Sequence, residues 1–142
     1  MGENKDRSLG RWLSILYRYG HCYLDKELNQ YNLRSGQAIF LAILLEKDGM
    51  SQESLSSLLQ IDKATTARAI KKLEQEGYVV RKPSPRDRRA KIIYVTEKAL
   101  AIKPALIIVG EKWTDILTNN FNPEEKELII ELLKKMAQNA AQ

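Results

Sequence analysis

Arg86, Arg88, Arg89 and Lys91 fall within six residues of the stretch Ser84–Thr96, broken by the single acid Asp87. Guanidinium groups at that density suit oxyanions, because each offers a rigid fork of N–H donors that matches the oxygens of a phosphate. A second set lies upstream, where Arg68, Lys71 and Lys72 stand at three- and four-residue steps, preceded by Lys63. That spacing puts them on one side of a helix. Residues 62–91 hold ten Lys/Arg against four acids, whereas the other 112 residues of the chain balance at −1. All of the net +5 is therefore local, which is the footprint of a nucleic-acid contact rather than of general solubility.

Other chemistry is thinly supplied. His21 is the only histidine and Cys22 the only cysteine, so neither a zinc site nor a disulfide framework is expected. No glycine loop cradles phosphate, and His21 has no evident nucleophile to activate, so catalysis and a cofactor are not expected. Cys22 shares a helix flank with Ile15 and Tyr19 and reads as a small packed hydrophobe, and His21 as a polar-face residue. At 142 residues and 44% hydrophobic, the chain makes one folded domain. The strongest apolar run, Ile39–Leu45, is too short to cross a bilayer, and the polar start lacks a signal region. Met1-Gly2 resembles a myristoylation start, but Asp6 stands where Ser or Thr is needed. A cytoplasmic protein with no membrane partner is expected.

The elements that must hold the cations follow from periodicity. Apolar residues at three- and four-residue steps predict a long amphipathic helix over residues 8–31. Ser35 reads as the N-cap of a second helix, 35–48, apolar nearly all round and closed by Gly49. Ser51 caps a short helix with Leu55, Leu58 and Leu59, and Asp62 caps another that stops at Gly77. Two β-branched runs, Tyr78–Arg81 and Lys91–Val95, read as strands joined by a loop that Pro83 and Pro85 stiffen. Thr96-Glu97 opens a helix to about Asn120 that Pro104 should kink or interrupt, and Asn122-Pro123 opens the last. The predicted fold is mostly α with a small β-hairpin wing (α+β), a winged helix-turn-helix.

With Thr66, Ala69, Ile70 and Leu73 facing inward, helix 62–76 presents Ala64, Ala67, Arg68, Lys71, Lys72 and Gln75 outward, with Thr65 at the margin. Small side chains let such a helix approach base edges in a major groove, where Arg68 can meet guanine while Lys71 and Lys72 meet phosphate. A wing over 82–91 then reaches the neighbouring minor groove, whose negative potential attracts Arg. Asp87 would repel phosphate if free, so it is expected to pair with Arg89 and aim that guanidinium.

The run Asp62-Lys63-Ala64-Thr65-Thr66-Ala67-Arg68, then Leu73-Glu74 and Gly77-Tyr78-Val79 with Arg81, then Asp87-Arg88-Arg89-Ala90-Lys91 through Val95-Thr96-Glu97-Lys98, resembles the MarR/SlyA family of bacterial transcription regulators. The tight match covers 62–98, and the helix order agrees over nearly the whole chain. The resemblance implies a homodimer whose helices in 1–34 and 97–142 interlock, with 35–96 as the DNA-binding lobe reading a palindromic operator, more as repressor than activator. It implies DNA-binding roles for Lys63, Ala64, Thr65, Arg68, Lys71, Lys72, Arg86, Asp87, Arg88, Arg89 and Lys91. It also implies regulation by a small phenolic or aromatic effector, for which Trp12, Tyr19 and Tyr23 are candidates, with Arg18 to meet an anion. Peroxide-sensing members carry their cysteine nearer the start of the first helix, where this chain reads Trp12-Leu13-Ser14-Ile15. Arg86 adds a cation to the wing and favours nonspecific affinity. The alternatives are a winged helix used for protein or RNA contacts and a nonspecific architectural DNA binder.

Overall fold

In the computed structural model, which describes residues 6–142, the order is helix, helix, a two-residue strand, two helices, a hairpin and two helices. The Met1-Gly2 start lies outside the described residues. The chain divides into two compact units, one ending at Val109 and one spanning Gly110–Gln142.

The first unit is built on a buried cluster. Helix α1 (Leu9–Leu28) runs into a 3-10 turn, Asn29–Tyr31, and is followed by α2 (Ser35–Glu46). Leu28, Leu33, Phe40, Leu41, Leu44, Leu55, Ile70, Leu73, Tyr78, Val79, Ile93 and Ala99 all lose essentially all contact with solvent. Removing the large aliphatic and Phe side chains among them from water supplies about 1.5–3 kcal/mol each. The Tyr78 ring carries its hydroxyl into this core and donates to the Tyr31 carbonyl at 2.6 Å. Burial raises that phenol's pKa above its ordinary value.

Strand β1 (Met50–Ser51) leads into α3 (Gln52–Leu59) and α4 (Lys63–Gln75); β2 (Val79–Pro83) and β3 (Lys91–Val95) make the hairpin. The sheet is antiparallel in the order β1-β3-β2, with Met50 opposite Ile93 and Val79 opposite Val95. Strand β1 carries no signal in the sequence, because two residues show no period. The second strand begins one residue later than expected and reaches Pro83, which an edge strand tolerates because the missing N–H faces no neighbour. Gly49, before β1, has φ +78°, and a Cβ there would meet the Tyr94 ring at 3.3 Å.

Caps hold the helices where expected, with one correction. Ser51 Oγ accepts from Ser54 N, Asp62 Oδ2 from Thr65 N and Asn122 Oδ1 from Glu125 N. Gly77, with φ +81°, closes α4. Ser35 is not the cap of α2: Arg34 holds that position, and Gln37 Oε1 accepts from its N–H. Ser35 instead ties α2 to α1, its N–H donating to Asp25 Oδ1 at 2.8 Å and its Oγ lying 2.7 Å from His21 Nδ1. His21 thus sits half-buried at a helix junction rather than on a purely polar face. Pro104 does not interrupt helix α5, which runs unbroken from Glu97 to Leu117. The second unit holds the end of α5, a turn, and α6 (Pro123–Ala140), which buries none of its residues.

Candidate nucleic-acid interface

Two layers of the fold present the cations. Asp62 starts α4 by accepting the Thr65 N–H, and hydrogen bonding from the Thr65 side chain, then from its amide, holds the Asp62 carboxyl below the usual range. The inward face of α4 is Thr66, Ala69, Ile70 and Leu73, all buried, as the 3.6-residue period demands. Lys63, Ala64, Arg68, Lys71, Lys72 and Gln75 are exposed, while Thr65 and Ala67 are half-buried. Ser56 of α3 donates to Thr66 Oγ1 at 2.9 Å, and Thr66 donates to Asp62 O at 2.9 Å, so the turn between the two helices is fixed by a buried hydroxyl chain.

The cations on this face are not equivalent. Arg68 Nη2 donates to Thr65 Oγ1 at 3.1 Å, which holds the guanidinium against its own helix in one orientation. Lys72 Nζ lies 3.2 Å from Glu76 Oε1 one turn on. Lys63 and Lys71 have no acidic partner among the described residues.

The wing is a hairpin whose tip is stitched by its own backbone. Ser84 N donates to Ala90 O at 2.9 Å and Ala90 N to Asp87 O at 3.0 Å. Arg86 N donates to Ser84 Oγ at 3.2 Å. The expected ion pair between Asp87 and Arg89 is not formed. Asp87 Oδ1 accepts instead from the Arg89 backbone N–H at 3.0 Å. A short Asp side chain reaches the amide two residues on more readily than a long, exposed guanidinium returns to it. Asp87 thus shapes the turn, and Arg86, Arg88, Arg89 and Lys91 are left exposed without an acidic partner among the described residues.

The wing's base is held by residues to which the sequence alone assigns no role. Arg81 of β2 donates to both oxygens of Glu74 on α4 and to Gln52 on α3. Asp48 Oδ1 accepts from Val95 N at 2.8 Å, closing the end of β3. Thr96 Oγ1 donates to Gly77 O at 2.7 Å, and Lys98 donates to Glu76 O with its ammonium over the Tyr78 ring. Charge counts hide such residues, because a paired Arg and a free one look alike in sequence.

A MarR-family model matches residues 33–91, which is this lobe and its wing. A Bacillus subtilis (strain 168) protein described as an uncharacterized HTH-type transcriptional regulator, YybA, is 35% identical over 113 residues, covering 80% of this chain and 75% of the relative. The chain belongs to the MarR family. A MarR transcriptional regulator from Methanosarcina mazei Go1 is 41% identical and superposes with a TM-score of 0.88 over 94% of this chain and 96% of its own. A MarR-family regulator from Listeria monocytogenes, solved in complex with a 26mer DNA, is 30% identical with a TM-score of 0.89, covering 94% and 89%. The MarR-family chain described here is accordingly a winged-helix, DNA-binding transcription regulator.

Of the residues considered for an effector, Arg18 and Tyr19 line a concavity of about 330 Å³ together with Ile15 and Cys22. Cys22 is exposed there, which corrects its reading as a packed hydrophobe. Trp12 and Tyr23 stand outside that concavity; the Trp12 Nε1 donates to Asp6 O at 2.7 Å. Arg18 donates to Ser14 Oγ. Among the described residues, no group of three His, Cys, Asp or Glu could hold a metal, and no helix is long and apolar enough to cross a membrane.

Proposed function

We propose that the protein is a cytoplasmic homodimeric repressor that reads a palindromic operator, with α4 in the major groove and the 82–91 wing in the minor groove. The observation that carries this reading is the pairing state of the cations. The exposed face of α4 offers Lys63, Arg68 and Lys71, and the tip offers Arg86, Arg88, Arg89 and Lys91, none of them in an ion pair with a carboxylate among the described residues. Ala64, Thr65 and Ala67 keep the α4 surface low enough for Arg68 to reach a base edge. Asp87 acts through the shape of the tip.

In this reading 35–96 is the DNA-binding lobe, and the helices of 1–34 and 97–142 serve dimerisation. Leu9, Leu13 and Leu16 of α1 are each at least 43% exposed, and Leu128, Leu132 and Leu133 of α6 are each at least 42% exposed. Apolar surface on that scale is covered by a partner. An aromatic anion is the effector class that Arg18 and Tyr19 suit.

Selection from a random duplex library by the purified protein tests the assignment. An enriched palindrome with half-site centres about one helical turn apart supports it. With about five phosphates neutralised per protomer, log K should fall against log salt with a slope on the order of −9. Tight binding without a motif indicates an architectural role, and a slope near zero indicates a protein- or RNA-contact module.

A further inference from the structure

Arg81 lies inside the basic segment, yet its charge is spent on the protein itself. Its Nη2 and Nε donate to the two carboxylate oxygens of Glu74 at 2.9 and 3.3 Å, and its Nη1 donates to Gln52 Oε1 at 3.3 Å. Three elements meet at this one planar group: β2 at the base of the wing, the last turn of α4, and the first residue of α3. Among the described residues, the tip, Ser84–Ala90, has only the hairpin's own hydrogen bonds beyond that point. The direction in which the wing leaves the lobe is therefore set at its base.

We propose that Arg81 and Glu74 are positioning residues for DNA recognition: their two-pronged ion pair, braced by Gln52, sets the spacing between the α4 face and the wing tip without either residue touching DNA. The proposal rests on the operator-binding reading above. It makes a prediction whose sign is opposite to that of general electrostatics. Neutralising a carboxylate on a DNA-binding face ordinarily tightens binding, since one repulsion is lost. If Glu74 instead holds the wing in register, Glu74→Gln weakens binding.

The test uses the full-length chain on its selected duplex, with Glu74→Gln, Arg81→Gln, Arg81→Lys and the Glu74→Gln/Arg81→Gln double variant. Affinity is measured against salt, with hydroxyl-radical protection of the duplex, at a temperature where circular dichroism shows each variant folded. Each single variant is expected to lose about tenfold in affinity, and the double variant no more than either, as for two residues acting as one unit. Arg81→Lys should not rescue, because an ammonium keeps the charge and loses the fork. Protection should fade at the wing-contacted minor groove and persist at the α4-contacted major groove, and the salt slope should shrink equally in Glu74→Gln and Arg81→Gln, because both release the same wing cations. Tighter binding by Glu74→Gln, or a slope reduced in Arg81→Gln but not in Glu74→Gln, would show a direct phosphate contact by Arg81 and overturn the proposal. If Arg81→Gln fails to fold, Glu74→Gln and Arg81→Lys decide the matter by the same criteria. A wild-type chain that selects no duplex sinks the operator reading itself; a wild type that binds while the variants keep its affinity and footprint sinks only the tie.

Discussion

Ser56 Oγ donates to Thr66 Oγ1 across 2.9 Å in the interface between α3 and α4, where Thr66 is wholly buried and Ser56 is 8% exposed. Because Thr66 passes its own proton to Asp62 O, both hydroxyls are satisfied and the chain of donors ends on the residue that caps α4. Two helices that present a DNA-reading surface need a fixed angle, and a directional bond sets one where apolar packing alone permits sliding. Two small polar residues thus do inside the lobe what Arg81 does at its edge.

Replacing Thr66 by Val keeps the shape but strands the Ser56 hydroxyl in an apolar interface. A loss of about 1–3 kcal/mol in unfolding free energy is expected. Ser56→Ala combined with Thr66→Val removes both polar groups and should recover much of that loss, since nothing buried is left unpaired. Urea denaturation of the two single variants and the double closes the cycle. Strictly additive losses would show that the hydroxyls do not act as a pair.

Acid should weaken the fold through carboxylates that are hydrogen-bonded only when folded. Asp62 is held below its ordinary value of 3.8 by the Thr65 hydrogen bonds, Asp25 by the Ser35 N–H, and Glu74, ordinarily 4.5, by Arg81. A carboxyl whose folded pKa is depressed binds fewer protons folded than unfolded, so its stabilisation is complete above the unfolded value and lost as pH falls through the folded one. Urea midpoints should therefore hold steady above about pH 5 and decline below about pH 4. Asp62→Asn, which keeps a capping oxygen without a titrating group, should flatten part of that decline; an unchanged acid profile would remove Asp62 from the account.

Much of this was readable from the chain because the relevant signals are local. Thr66, Ala69, Ile70 and Leu73 are buried as the helical period requires, and Ser51, Asp62 and Asn122 cap their helices. What escaped is what depends on residues distant in sequence. Arg81 finds Gln52 29 positions away, and Asp48 finds Val95 47 away. Ser35 looked like a cap because Ser often is one, but the helix of His21 and Asp25 claims both its hydrogen-bonding groups. Asp87 and Arg89 were rightly matched as neighbours, though the carboxylate chose the backbone amide over the guanidinium.

Lys71 and Lys72 are adjacent in sequence and should differ in function. Lys72 spends part of its charge on Glu76 at 3.2 Å, a helical i,i+4 pair of the kind worth about 0.3–0.5 kcal/mol. Lys71 has no acid in reach among the described residues. Lys71→Ala should lower the salt slope by about one per protomer contact, and Lys72→Ala by clearly less. Glu76→Gln should then raise the contribution of Lys72, making Lys72→Ala more damaging in that background. Equal slopes for the two alanine variants in the wild-type background would show that the Glu76 pair dissolves on DNA.

Self-association should depend on apolar side chains that the protomer leaves in water. On α6, Leu128 and Leu132 are one turn apart and exposed to 51% and 42%, and Asn122 and Glu125 cap that helix well enough for it to persist without their burial. Leu132→Glu places a charge where a partner's apolar surface would exclude water, so the dimer's mass by light scattering should fall to that of a monomer. Far-UV circular dichroism should change little. Operator affinity should collapse with the dimer, because each half-site is then bound alone and the second contact is no longer made at high effective concentration. A weak single half-site complex should persist, since the α4 and wing cations are untouched. A monomeric variant that still grips the full palindrome as tightly as wild type would refute the dimer as the reading unit. A variant that stays dimeric would place the association surface away from Leu132.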